Sequence, residues 1–304
     1  MSDAAARLAR TLLDSGARRI AFLGLAKNAG KTTALVAALH ELHALGIPAG
    51  ATSVGRDGED FDALTGEPKP RFHFEAGQLA ASAASTFDAA SLAATPLERL
   101  PFATRFGPVA VARVDRAGEI EMIGPTTVSQ TAETAAALER HGARIVLLDG
   151  AFGRRAFASA RVADGIVLAA GMSAGGTIAS AVNRARSAVE MVTLPAPARG
   201  AIVRRFEGAL TDEIVHEAQP RPGETLAARD FASIFLSDPE RARLKEAGIA
   251  LAVEKPARLL AVTANPTAPG RPAAPAAELF EALAALVPTA TPLFDLHAEL
   301  VRSA

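Results

Sequence analysis

The segment Arg19-Ile20-Ala21-Phe22-Leu23-Gly24-Leu25-Ala26-Lys27-Asn28-Ala29-Gly30-Lys31-Thr32-Thr33 constrains this chain more than any other. An apolar run enters a glycine-bracketed loop, and the loop ends in Gly-Lys-Thr-Thr at the head of an Ala/Leu-periodic stretch. A strand that turns through such a loop into a helix aims successive backbone N–H groups at one point. The helix's orphan donors and its macrodipole favour an anion there. The loop therefore reads as phosphate-binding, with Gly24, Lys27, Asn28, Ala29, Gly30, Lys31, Thr32 and Thr33 forming the cradle. Lys31 is expected to reach the terminal phosphates and the Thr32 hydroxyl to hold Mg²⁺. Five residues separate Gly24 from Gly30, one more than the general pattern allows, so the strand–loop–helix context carries the reading.

The rest of the composition narrows the chemistry. With 49% apolar residues in 304, the chain is globular and long enough for one large domain or two modest ones. Lys+Arg at 32 against Asp+Glu at 33 leaves a net charge of −1, which gives no electrostatic footprint for nucleic acid. The 14 Phe, with no Trp or Tyr, make base-stacking platforms scarce. Cysteine is absent, which removes disulfides, thiolate metal sites and cysteine nucleophiles together and suits a cytoplasmic protein. The charged amphipathic start, Met1-Ser2-Asp3-Ala4-Ala5-Ala6-Arg7, reads as a helix rather than a signal peptide. Gly165 to Asn183 carries no charge, yet its glycines and hydroxyls suit a buried strand, turn and helix start better than a membrane span.

Periodicity predicts an α/β fold with a mostly parallel sheet. Leu35, Leu39, Leu42 and Leu45 mark one helix face ending at Gly46, and Ile47 to Val54 forms the next strand. Residues 78–98 read as helical, and Val109–Val114 with Glu119–Ile123 as a hairpin about Asp115–Gly118. A helix capped at Thr127 leads to the strand Ile145–Gly150, and Gly165–Ala170 begins another βα unit. Pro195-Ala196-Pro197 marks a boundary between a nucleotide-binding domain over 1–195 and an α/β C-terminal region over 196–304, which either folds separately or continues the first sheet. Strands are expected in that region near Ala201–Val203, Ser233–Leu236, Leu259–Thr263 and Pro292–Phe294.

A phosphate loop needs a carboxylate for Mg²⁺ at the end of a neighbouring strand. Asp149, closing the run Ile145-Val146-Leu147-Leu148, and Asp57, past the second strand, are the candidates for the metal, Asp57 also for orienting the attacking water. A turn cap for Asp149, and a solvated acidic loop for Asp57, Glu59 and Asp60, are the plain alternatives. Asn265-Pro266 offers an amide to a purine edge or to a substrate at the sheet's C-terminal rim, or is only the turn that Asn-Pro favours. Pro68-Lys69-Pro70-Arg71 sets two cations on a stiff loop. His40 and His43 stand at i, i+3 with the spacing of a metal clamp, opposite the leucine stripe. A competing motif is Gly171-Met172-Ser173-Ala174-Gly175, which has the G-x-S-x-G pattern of a nucleophile elbow, with Asp238 and His297 following in the order a serine hydrolase needs.

The spacing from Gly24 to Thr32 resembles that of dethiobiotin synthetase and its cobyrinate-amidating relatives, and Asp149-Gly150-Ala151-Phe152-Gly153 looks like their Glu-Gly-Ala-Gly-Gly strand end. The resemblance implies the SIMIBI class of P-loop proteins, usually dimeric. Thr52-Ser53-Val54-Gly55 stands where those synthetases carry a lysine-proline pair, which separates the chain from their carboxylation chemistry. More of the chain resembles P-loop ATPases encoded beside adenosylcobalamin-dependent lysine and ornithine 5,6-aminomutases. The matching segments are Gly24 to Thr33, Ser53 to Glu59, Pro68-Lys69-Pro70, Ile123-Gly124-Pro125, Asp149 to Arg154 and Thr263 to Pro266. Those proteins look like reactivating factors that use ATP to exchange damaged cobalamin. The expectation is thus a cytoplasmic, homodimeric, Mg²⁺-dependent ATPase partnered with such an aminomutase, with Lys31, Asp57 and Lys27 catalytic. An ATP-dependent carboxylate ligase and a hydrolase at Ser173 are the alternatives.

Overall fold

The computed structural model describes residues 2–54, 71–173 and 176–304, the side chains of Ala151 and Arg154 excepted. In chain order the first elements are α1 (Asp3–Asp14), β1 (Arg19–Gly24), α2 (Lys31–Ala44), β2 (Ala49–Ser53), β3 (Phe72–Phe74), β4 (Leu79–Ala83) and α3 (Ala84–Asp88). There follow β5 (Ala93–Thr104), β6 (Gly107–Arg116), β7 (Gly118–Ile120), α4 (Val128–Arg140), β8 (Ile145–Ala151) and a 3₁₀ helix over Phe152–Ala158. After β9 (Gly165–Gly171) and α5 (Ile178–Val192) come β10 (Ile202–Phe206), β11 (Leu210–Thr211), α6 (Asp212–Ala218), β12 (Glu224–Ala228), β13 (Ile234–Phe235), α7 (Asp238–Glu246) and β14 (Ala250–Val253). The chain closes with β15 (Leu259–Asn265), α8 (Ala276–Ala284), β16 (Leu293–Asp295) and β17 (Leu300–Arg302).

Ten strands pair in the order β17-β16-β15-β9-β1-β8-β2-β4-β6-β5. The seven from β16 to β4 are parallel, with antiparallel β17 at one edge and the β6–β5 pair at the other. Alternation explains the layering, because successive strand side chains face opposite ways. Ile20, Phe22, Ile145, Leu147 and Val167 pack with Leu8 and Leu12 of α1 and Leu35, Leu39 and Leu42 of α2. Ala21, Leu23, Val146, Leu148, Ile166 and Leu168 pack on the other face with α4, α5 and α8. A strand buried on both faces must read as a continuous apolar run, which is why β1 and β8 stand out in the sequence. The fold is therefore α/β with a large, mostly parallel sheet between helices. No helix among the described residues is long and apolar enough to cross a membrane.

Several local expectations are corrected. Leu79–Ala83 is a fully buried strand instead of helix, and only Ala84–Asp88 is helical before β5 begins. Alanine and serine suit either period, so pairing between β2 and β6 decides the matter. The hairpin is replaced by a different pairing: β6 lies between β4 and β5, while β7 pairs with β3. Leu45 is 39% exposed, so the buried stripe of α2 ends at Leu42. Residues 202–253 hold a separate parallel sheet, β10-β12-β14, and the chain then returns to the main sheet through β15, β16 and β17.

Gly124 is pinned for a steric reason. A Cβ there would stand 1.6 Å from the Ser53 carbonyl oxygen, where β2 ends beside the site described below. Gly124→Ala should therefore cost about 3 kcal/mol, the upper range for overpacking a buried position. Chemical denaturation of the two forms checks this, and an unchanged midpoint would refute the close approach.

Candidate functional site

The site is built at the C-terminal edge of the parallel strands, where α/β sheets place ligands. β1 lies between β8 and β9, and the chain leaves Gly24 into a loop that starts α2 at Lys31. The loop is held from both sides: the Leu25 amide donates to the Ala169 carbonyl at 3.0 Å, and the Ala29 amide to the Ala26 carbonyl at 3.3 Å. Asn28 and Gly30 take left-handed backbone at φ 59° and 88°. Gly30 caps α2 with no side-chain acceptor, so the first-turn N–H groups face outward without a side-chain cap. Gly24 has a different requirement, because a Cβ there would lie 2.9 Å from Lys31 Cδ. The lysine stem crosses the strand end at that point.

Lys31, Thr32 and Asp149, which are 117 and 118 positions apart in the chain, meet in one cluster. Lys31 Nζ donates to both Asp149 oxygens, at 2.8 and 2.7 Å, and approaches Thr32 Oγ1 at 3.3 Å. Thr32 Oγ1 also donates to Asp149 Oδ1 at 3.3 Å. Asp149 is only 6% exposed, so this cation is what makes its burial tolerable. The strand pairing places the carboxylate: Asp149 stands opposite Phe22 of β1, and its carbonyl accepts from the Val54 amide at 2.9 Å beyond β2. A carboxylate and a hydroxyl converging on one point form the oxygen donor set that Mg²⁺ takes alongside substrate phosphates. In the structure the Lys31 ammonium stands beside both, within hydrogen-bond reach of each. Thr32 and Asp149 thus fit a divalent ion, provided Lys31 has a phosphate to move to.

Around this cluster, Lys27 and Thr33 are exposed, and Ala29 is buried against the sheet edge. A narrow cleft is lined by Ala29, Gly30 and Thr33, with Asn265, Leu296 and His297 from the ends of β15 and β16. Asn265 therefore adjoins the loop, and Pro266 follows it as a buried residue. His297 and Leu296 are neighbours that no sequence signal announced. Asp57, Glu59, Asp60 and the Pro68-Lys69-Pro70 segment lie outside the described residues.

The 3₁₀ helix after β8 ties this end of the main sheet to β13, which pairs in parallel with β11. Arg155 donates to the Ile234 carbonyl, and its guanidinium lies 5.6 Å from the Phe152 ring centre and 4.6 Å from that of Phe235. Burial pushes the Arg155 pKa below its ordinary value, and the charge of Arg241 lowers it further.

The hydrolase relay is not assembled. Ser173 Oγ has no hydrogen-bond partner among the described residues, and Ala174 and Gly175 lie outside them. Asp238 pairs with Arg241 and accepts from Ser187 Oγ at 3.2 Å, and His297 is at the cleft beside Gly30. Likewise His40 pairs with Glu75 at 3.1 Å, and no group of three or more metal-ligating side chains occurs among the described residues. Family models, curated proteins and solved structures give no match to the chain.

Proposed function

We propose that the chain is a P-loop nucleoside triphosphatase that binds MgATP at Gly24–Thr33 and hydrolyses it. The observation that carries this is the Lys31–Thr32–Asp149 cluster at the junction of a strand, an uncapped helix N-terminus and a neighbouring strand end. The amides between Lys27 and Thr33, apart from that of Ala29, which the Ala26 carbonyl holds, take the β- and γ-phosphates, and Lys31 leaves Asp149 to bridge them. Thr32 and Asp149 would hold the metal, which when bound neutralises charge on the phosphate oxygens. Loop 24–33 carries no arginine, so Lys27, exposed on the loop, is the cation placed to meet the developing charge. Asp57 is proposed to orient the attacking water. The resemblance to the aminomutase-associated ATPases supports a cytoplasmic protein that serves a cobalamin enzyme, and the resemblance to the dethiobiotin synthetase class supports a homodimer.

The test is direct. Calorimetric titration of the intact chain with MgATP should give saturable binding, with a dissociation constant between about 1 μM and 1 mM. Phosphate release should accompany it and should rise when a cobalamin-dependent aminomutase is added. No heat and no phosphate release would sink the reading, and a fluorophosphonate label at Ser173 would favour hydrolase chemistry instead.

A further inference from the structure

The amide of Asn265 is already committed. Asn265 closes β15 and is only 6% exposed. Its Nδ2 donates to the Asn28 carbonyl at 3.2 Å, while its Oδ1 accepts from the Thr267 amide at 3.0 Å and from Thr267 Oγ1 at 2.7 Å. Two donors on one side and a carbonyl on the other fix which way the amide faces. Its main-chain carbonyl also accepts from the Met172 amide at 3.1 Å. One residue thereby ties together the loops that follow β1, β9 and β15. A Cβ on Gly30 would come within 3.1 Å of both Cβ and Nδ2 of Asn265, so the helix-capping glycine leans on this side chain.

An asparagine that recognises adenine must accept from the exocyclic amine through Oδ1 and donate to a ring nitrogen through Nδ2. Here both lone pairs of Oδ1 are taken and one Nδ2 hydrogen is spent. The single N–H left could meet N7, which adenine and guanine share, and so cannot tell them apart. The bond that Asn265 does make falls on Asn28, whose left-handed backbone asparagine adopts more readily than most L-residues and which turns the loop toward α2. Beyond Asn28 the Ala29 amide is held by the Ala26 carbonyl, and the amides of Gly30 and Lys31 follow it into the proposed anion cradle.

We propose that Asn265 is a positioning residue of the phosphate loop, holding the Asn28 corner so that the following amides converge, and that it takes no part in choosing the base. This rests on the nucleotide reading above. The experiment measures affinities of the full-length chain, Asn265→Ala and Thr267→Ala for MgATP, MgGTP and magnesium tripolyphosphate, which has no base. Asn265→Ala should weaken all three by a similar factor of about tenfold, the worth of one hydrogen bond. The ATP-to-GTP ratio should stay within about twofold. Thr267→Ala removes one of the two donors that hold Oδ1, changes only an exposed side chain, and should show the same pattern at smaller size. A role confined to stability would lower the melting temperature and leave tripolyphosphate affinity intact. That result, or a tenfold change in the ATP-to-GTP ratio, would overturn the proposal. If the unaltered chain binds none of the three, the nucleotide reading falls along with it.

Discussion

Lys31→Ala is expected to lower MgATP affinity at least a hundredfold, to abolish phosphate release, and to destabilise the nucleotide-free chain. The first two losses follow from the lysine's role toward the phosphates, since each charge-assisted hydrogen bond contributes about 1.5–3 kcal/mol. The third follows from Asp149. Its carboxylate is 6% exposed and is held by Lys31 at 2.7 and 2.8 Å, so removing the ammonium leaves a buried charge with, among the described residues, the Thr32 hydroxyl as its remaining side-chain donor. Breaking such a pair from one side costs about 3–5 kcal/mol when the pair is deeply buried. Lys31 is 24% exposed, which places this pair below that range, at about 2 kcal/mol. Calorimetric titration and chemical denaturation together check the prediction. A variant that loses ATP binding yet keeps full stability would show that the Lys31–Asp149 contact is incidental to the fold. Unchanged ATP affinity would remove the phosphate loop itself.

How far the site could be read in advance depended on whether its requirements were local. Gly24 and Gly30 are needed for reasons contained within eight residues, a lysine stem crossing one and a left-handed cap at the other, so the loop is visible in the chain. Asp149 is visible as the polar end of a buried strand, but its pairing with Lys31 arises only from β1 and β8 lying side by side. Asn265 was recognisable as a rim residue, although its role was not, because the partner that claims its amide is 237 positions away. The same limit governs the fold. Leu79–Ala83 carries too little pattern to distinguish strand from helix, and β7 pairs with Phe72–Phe74 instead of β6, a choice its own residues do not encode. Strands β12 and β14 carry no strand signal of their own, since short runs such as Glu224–Ala228 acquire their meaning from a sheet assembled out of three separate pieces of chain.

Asp149→Asn separates the two tasks that the structure gives this carboxylate. In the nucleotide-free chain it holds Lys31, and the same oxygens are the ones that a divalent ion would need, so phosphate must compete with Asp149 for the lysine. An amide in place of the carboxylate keeps the shape and weakens that hold, while removing the charged oxygen proposed as a metal ligand. Binding of ATP in EDTA should therefore tighten by about tenfold, corresponding to about 1.4 kcal/mol of released competition. Binding in the presence of Mg²⁺ should gain little or weaken, and phosphate release should fall at least a hundredfold. Titrating the unaltered chain and the variant with ATP, with and without Mg²⁺, measures all of this. Equal tightening under both conditions would mean that Asp149 restrains Lys31 without serving the metal, and a loss confined to the Mg²⁺ titration would mean that the ion pair offers phosphate no real competition.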